Sequence, residues 1–402
     1  MSEVVAGRGV RVFAAELDVL RGVAAILMIV NHAGFRLLSP QDAISSGAGT
    51  AVFIGSFAPV LFFFATGFGI GLAGQGNSRP ALLFSLLWKA LVLVLADQFF
   101  FWRAGFGWGV DFFSFIALSM LVVSAVARLR RPGLAAAALA VTLLGLRYGL
   151  GPPLREHIHG NAFAGWLLGT QALDNVAYPL SPWMVYPLLG FVLGRRYQPA
   201  GPTVTPHRQP WFKWGAMLTP VLLAAAWAMA SSRSGFFRWG TVNAPYFVLS
   251  LAVLGAACLL CASLTGFSGA GGRWLALRGV ASFAVIPVHY AVLDLYSSTA
   301  HVPIAEWPYA ALTLGIVVCS FVVSGAIAKA LAAPLLARHR RGVVGAALTL
   351  ILMAAGATIA ASNRASLSVA MCVLIGQLAA ACLLGLRPQA SEASTRRREV
   401  AA

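Results

Sequence analysis

Leu17-Asp18-Val19-Leu20-Arg21-Gly22, an apolar run over 23–30, and then Asn31-His32 form the stretch whose reading decides the fold. It predicts a membrane helix over 17–38 that carries an arginine and a histidine. Ionisable groups inside a membrane helix are costly and face a partner, a cavity or a substrate path. The spacing adds to this. Eleven residues at about 100° each make three turns plus about 20°, so Arg21 and His32 share a face, about 16 Å apart along the axis. That is about half the hydrocarbon core of a bilayer. Asp18 precedes Arg21 by three residues, within reach of an ion pair. Plainer alternatives stand beside these readings: Asp18 and Arg21 as an interfacial anchor, His32 as a hydrogen-bonded packing residue.

Of the 402 residues, 59% are hydrophobic and only 10% charged, against about 25% charged in a soluble protein. The chain therefore reads as an all-α, polytopic transmembrane helical bundle. Its net charge of +17 would suggest nucleic acid in a soluble protein. Here the basic residues sit mostly in short loops between apolar spans, where they orient the chain, and no nucleic-acid partner is expected. Cys258, Cys261, Cys319, Cys372 and Cys382 all fall in apolar segments, and the C-x-x-C of the first two lacks a second ligand pair. His157, His159, His207, His301 and His339 lie in loops or at helix ends without a ligand set, so no metal site is expected. The first apolar segment is long and lacks a small-residue cleavage site, which argues against a cleaved signal peptide.

About twelve helices are predicted, over 17–38, 51–73, 82–102, 111–127, 133–150, 181–195, 213–231, 244–265, 279–298, 308–333, 342–361 and 367–386. With the N-terminus inside, the inner segments hold Arg128, Arg130 and Arg131, then Arg195 and Arg196, and later Arg338, Arg340 and Arg341. The outer segments hold fewer basic residues, Arg103, Arg147 and Arg155 among them. Both termini are thus predicted to be cytoplasmic, with the protein in the plasma or inner membrane. The segment 181–195 is short, and a re-entrant path there would flip everything after it. The outer stretch 151–180 reads either as an acceptor-binding lid or as an ordinary solvated loop. The stretch 197–210, with four prolines, reads as an irregular linker, and 387–402 as a disordered basic tail.

Polar residues fall at two depths. Toward the inside lie Arg21, Thr66 and Lys89. Toward the outside lie His32, Asp97, Gln98, Asp111 and Asp294, with His289 near the middle of its helix. A carboxylate beside a histidine fixes the imidazole tautomer and supports general-base chemistry. Cations near the cytoplasm suit the phosphates of an anionic donor. Together they suggest a reaction across the membrane. For Asp97, Asp111 and Asp294, helix-end or structural roles fit equally.

The opening stretch, Leu17-Asp18-x-Leu20-Arg21-Gly22-x-Ala24 with His32 eleven residues after the arginine, resembles the motif of the membrane acyltransferase-3 family. Phe62-Phe63-Phe64-Ala65-Thr66-Gly67-Phe68 is similar to its second helix, with Thr for Ser. Gly279-x-x-Ser282 followed by His289 resembles its late helix. Pro182-Trp183 and Leu189-Gly190-x-x-x-Gly194 are similar to the related heparan-α-glucosaminide N-acetyltransferase-like proteins. The resemblance covers about 11–335 and implies a ten-helix acyltransferase domain, with 342–386 as an appended pair. The arginine pair usual near the start of the third helix is missing; only Arg79 and Lys89 stand there.

The resemblance implies transfer of an acyl group, usually acetyl, from cytoplasmic acyl-CoA as co-substrate to a hydroxyl of an extracytoplasmic glycan or lipid-linked sugar. On that reading His32 is the general base, or else forms an acyl-histidine. Arg21 contacts the CoA moiety or orients the thioester, Asp18 holds Arg21, and Thr66 and Lys89 line the donor path. Asp97, His289 and Asp294 are assigned to substrate binding. Three other readings stay open: N-acetylation of an amino sugar, a proton-coupled carrier or flippase, and a non-catalytic scaffold. The sequence leaves acceptor identity, acyl length and oligomeric state unassigned.

Overall fold

The computed structural model describes residues 15–45, 47–73, 79–104, 109–150, 153, 161–169, 176–197, 210–231, 242–266, 274–277, 279–299 and 303–332. Among them the chain is helical, with no β-strand. The helices are α1 (Ala15–Leu37), α2 (Asp42–Ser45), α3 (Gly47–Gly55), α4 (Ala58–Ala73), α5 (Arg79–Ala104), α6 (Phe112–Val126) and α7 (Pro132–Leu144). A π-helical turn, Gly145–Leu150, extends α7. Then come α8 (Ala162–Leu168), α9 (Leu180–Trp183), α10 (Val185–Arg196), α11 (Pro210–Ser231), α12 (Ala244–Gly266), α13 (Val280–Thr299) and α14 (Glu306–Ala332). Each span predicted up to residue 333 overlies helix. The pair predicted over 342–386 and the tail lie outside the described residues, as does most of 151–180.

Among the described residues, five stretches are long and apolar enough to cross a membrane: Ala15–Leu37, Gly47–Ala73, Pro132–Leu150, Ala244–Leu264 and Glu306–Lys329. Three departures from the predicted spans have local causes. The helix expected over 51–73 is broken at Ser56 and Phe57. Pro59 has no N–H to return to the carbonyl of Gly55, and Ser56 Oγ donates to the Phe53 carbonyl at 2.6 Å. The span 181–195 is two pieces joined at Met184. The span 133–150 widens into the π-turn, and Arg147, counted in the sequence as an outer loop charge, is buried there. It donates to the carbonyls of Leu168 and Gly169 at 2.8 and 2.6 Å, so it holds the C-terminal end of α8.

Helix α1 is central, packed against α3, α4, α12, α13 and α14. The triple phenylalanine of α4 serves the core: the Phe63 ring lies 4.5–5.8 Å from those of Phe115, Tyr178, Phe112 and Trp183. Helices α4 and α10 meet backbone to backbone. A Cβ on Gly67 would strike the Pro187 carbonyl, one on Gly190 the Phe64 carbonyl, and one on Gly194 the Phe68 carbonyl. Small residues bring membrane helices close in this way, because lipid supplies no hydrophobic drive between them.

Cross-helix contacts fix the relative directions. Leu277 N–H donates to the Asp18 carbonyl at 3.0 Å, His32 meets His289, and Arg36 meets Asp294. Helices α1 and α13 therefore run parallel, and an odd number of crossings lies between them. If the other six spans predicted between them each cross, counting 180–196 as a full crossing supplies that odd number. Helix α4 runs opposite to α1, since Asn31 Nδ2 donates to the Val52 carbonyl at 2.8 Å while Gly69 lies beside Arg21. One end of the bundle thus gathers Asp18, Arg21, Arg131 and Arg195. The other gathers His32, Arg36, Asp294 and Glu306.

Candidate functional site

The site is built on the last third of α1 and the facing turn of α13. His32 Nδ1 lies 2.9 Å from His289 Nε2, and the rings stack with centroids 5.2 Å apart. His289 is fully buried, and its Nδ1 lies 2.9 Å from the Val285 carbonyl one turn earlier. Tyr290 places its hydroxyl 3.2 Å from His32 Nε2.

The donors and acceptors of this row set its tautomers. A carbonyl only accepts, so His289 Nδ1 carries a proton. Neutral His289 then has a bare Nε2, which accepts from His32 Nδ1–H. Neutral His32 in turn has a bare Nε2, to which the Tyr290 hydroxyl donates. One backbone carbonyl therefore directs a lone pair of His32 outward, away from His289. The sequence reading assigned such orientation to a carboxylate; here a second imidazole does it. His32 is half-buried, and its Nε2 is the ring nitrogen not committed to His289.

The neighbouring polar groups tie α1 to α13 and α14, and α14 to α3. Arg36 Nη2 lies 3.4 Å from Asp294 Oδ1, one turn beyond His32 on α1. Tyr309 of α14 donates its hydroxyl to the Val30 carbonyl at 2.9 Å. Glu306 accepts from Ala48 N–H at the start of α3 at 3.3 Å.

At the opposite end, Arg21 Nη1 donates to Asp18 Oδ1 at 3.0 Å, with Asp18 buried and Arg21 about a quarter exposed. Gly22 belongs to the same constellation for a steric reason: a Cβ there would strike the carbonyl of Leu275. The Asp18 side chain thus holds Arg21 while its backbone carbonyl anchors the 274–277 segment.

The remaining sequence candidates lie apart from His32. Asp97 is buried on α5 and caps α6. Its oxygens accept from the backbone N–H of Asp111, Ser114 and Phe113 at 2.9, 3.0 and 3.4 Å. Gln98 holds Gly109 through both its amide atoms, at 3.1 and 3.2 Å. Thr66 donates to the Phe62 carbonyl of its own helix at 2.9 Å. Lys89 is exposed on α5, and of Arg79 only the helical backbone is described. Among the described residues, no group of three His, Cys, Asp or Glu gathers as metal ligands would. Tyr290 is the residue the sequence reading missed; its one signal was adjacency to His289.

The comparison with known families bears on this arrangement. The family model for the catalytic region of heparan-alpha-glucosaminide N-acetyltransferase matches residues 14–259, more than half of the chain. The chain belongs to this family. No curated protein and no solved structure matches it. The match supports the heparan-α-glucosaminide branch of the resemblance and not the acyltransferase-3 family specifically. As a member of the acetyltransferase family with several membrane-length apolar helices, the chain is a multi-pass membrane protein. The matched stretch includes Asp18, Arg21 and His32 and ends within α12, so His289 and Tyr290 lie beyond it.

Proposed function

We propose that the chain transfers an acetyl group from cytoplasmic acetyl-CoA to a sugar on the other side of the membrane, with His32 as the general base. The observation that carries this reading is the row Val285 carbonyl, His289, His32, which leaves His32 Nε2 as a lone pair ready to take a proton. The family supports an acetyl donor and brings the amino-sugar acceptor, one alternative in the sequence reading, to the front. A hydroxyl acceptor is the second reading, and the same base serves it.

The acceptor nucleophile displaces the Tyr290 hydroxyl from His32 Nε2 and attacks the thioester carbonyl. The new bond to the acyl carbon forms as the nucleophile's proton passes to Nε2, and the carbon–sulfur bond then breaks. The CoA thiolate leaves and takes up a proton, which restores neutral His32. Imidazolium formation is accommodated because His32 Nδ1–H already donates to His289. Arg21, fixed by Asp18 and partly exposed, is the donor-side cation. Its separation from His32 by about 16 Å suits the extended pantetheine arm of CoA. Thr66 and Lys89 belong to the donor path and Asp294 to the acceptor side, where it holds Arg36. The termini face the cytoplasm.

The test is CoA release by the purified protein in lipid, with glucosamine-bearing and hydroxyl-only glycans as separate acceptors. His32→Ala lowers turnover by about 10²- to 10⁴-fold, the range a positioned base contributes, while the protein elutes as a folded species. A wild type that releases no CoA with either acceptor overturns the reading and favours a carrier, which consumes no thioester.

A further inference from the structure

A second feature lies at the arginine-bearing end, away from His32. Arg131, Pro132, Gly133 and Leu134 at the start of α7 and Val192, Arg195 and Arg196 at the end of α10 line a cleft of about 320 Å³. Three arginines line it, with the Arg195 guanidinium 5.8 Å from the centre of the Phe191 ring, and the lining includes no Asp or Glu. Arginines lining a cleft suit the oxygens of a phosphate, to which a guanidinium presents paired donors. Helix α7 opens there without a side-chain cap, which adds to the positive field.

The surroundings define what carries the phosphate. The span Pro132–Leu150 is the least covered of the membrane-length helices, with only 17% of its apolar window buried. Leu134 at the cleft rim is 63% exposed and Val141, two turns on, 69%. An exposed apolar track therefore runs from the cleft along α7. A soluble phosphate or nucleotide has no use for such a track. An amphiphile fills both parts.

We infer that this cleft binds the headgroup phosphate of an anionic phospholipid, whose acyl chains lie along the exposed face of α7. Arg131, Arg195 and Arg196 grip the phosphate, and Leu134 meets the first methylenes. The lipid joins α7 to α10 at the end of the bundle where Arg21 also lies, and it is independent of the reading of His32.

Native mass spectrometry of the full chain from bilayers of equal phosphatidylcholine and phosphatidylglycerol tests this. The wild type retains phosphatidylglycerol preferentially. The preference falls several-fold in each of Arg131→Gln, Arg195→Gln and Arg196→Gln, because each loses charge-assisted hydrogen bonds to the phosphate, and furthest in the triple variant. Single variants carry the test if the triple variant does not fold. The pair Arg128→Gln and Arg130→Gln, which removes charge from the adjoining turn, leaves the preference unchanged, and acetyl-CoA does not displace the lipid. Equal loss in that control pair, or an undiminished preference in the cleft variants, overturns the inference. So does displacement by acetyl-CoA with a raised donor KM in the cleft variants, since the cleft then belongs to the donor's phosphates.

Discussion

Two imidazoles and a phenol in one row have a direction, and the Val285 carbonyl sets it. Removing His289 frees His32 to take its other tautomer, with the lone pair turned away from the acceptor. His289→Ala is therefore expected to lose kcat by part of the roughly 10²- to 10⁴-fold that a positioned base supplies, with the acetyl-CoA KM unchanged. His289→Gln restores much of it, because an amide oxygen accepts from His32 Nδ1–H. Steady-state kinetics with both variants measures this, and equal loss in the two would sink the tautomer account. Asp97 tells the opposite story. Its carboxylate receives three backbone N–H groups at the start of α6. Asp97→Ala is expected to cost about 1–2 kcal/mol of stability with kcat per folded molecule retained, read from melting curves beside turnover. In sequence the two kinds of residue looked alike, since a cap and a site both show as a polar group in an apolar run. Asp18, Arg21 and His32 were legible because their spacing on one helix is itself a constraint. Tyr290 was not, because a tyrosine in a membrane helix is unremarkable until its hydroxyl is placed.

At the scale of elements, the apolar runs fixed where helices lie but not how they break. Pro59 was visible, yet the split at Ser56 and Phe57 also depends on Gly55 lying against the Leu27 carbonyl and Asn31, a contact between distant residues. The π-turn over Gly145–Leu150 depends likewise on buried Arg147 finding the carbonyls of Leu168 and Gly169. The glycine spacing in 190–194 was legible as a motif, but its partner surface on α4 was not. Gly190→Leu is expected to force α4 and α10 apart and to destabilise the fold by about 1–3 kcal/mol or more, seen as lost monodisperse protein. Leu189→Ala on the neighbouring position serves as the mild comparison. A Gly190→Leu protein with unchanged melting would show that the seam is not tight.

For the whole molecule, the parallel run of α1 and α13 is the strongest check on topology. If the other six predicted spans between them all cross, it favours 180–196 as a crossing, which the sequence left open. Combined with the loop charges, it supports the proposed orientation, in which Arg131 and Arg195 face the cytoplasm and Arg36 and Glu306 the other side. Single cysteines at 131 and 306 in a chain cleared of its native cysteines are expected to react with a membrane-impermeant maleimide from opposite sides of sealed vesicles. Labelling of both from one side would overturn the proposed orientation. The loop charges suggest this orientation in the sequence, although one of them, Arg147, is buried in the fold: a buried arginine and a loop arginine are the same letter.

The α4–α10 seam also bears on how the chain is made. Glycines have no side-chain rotamers to freeze, so this pairing costs little order once both helices are in the bilayer. Yet α4 ends at Ala73 and α10 begins at Val185, with α5 to α9 between them. During synthesis the glycine face of α4 waits against lipid while more than a hundred residues are inserted. A nascent chain that stops before α10 therefore lacks the partner of that glycine face.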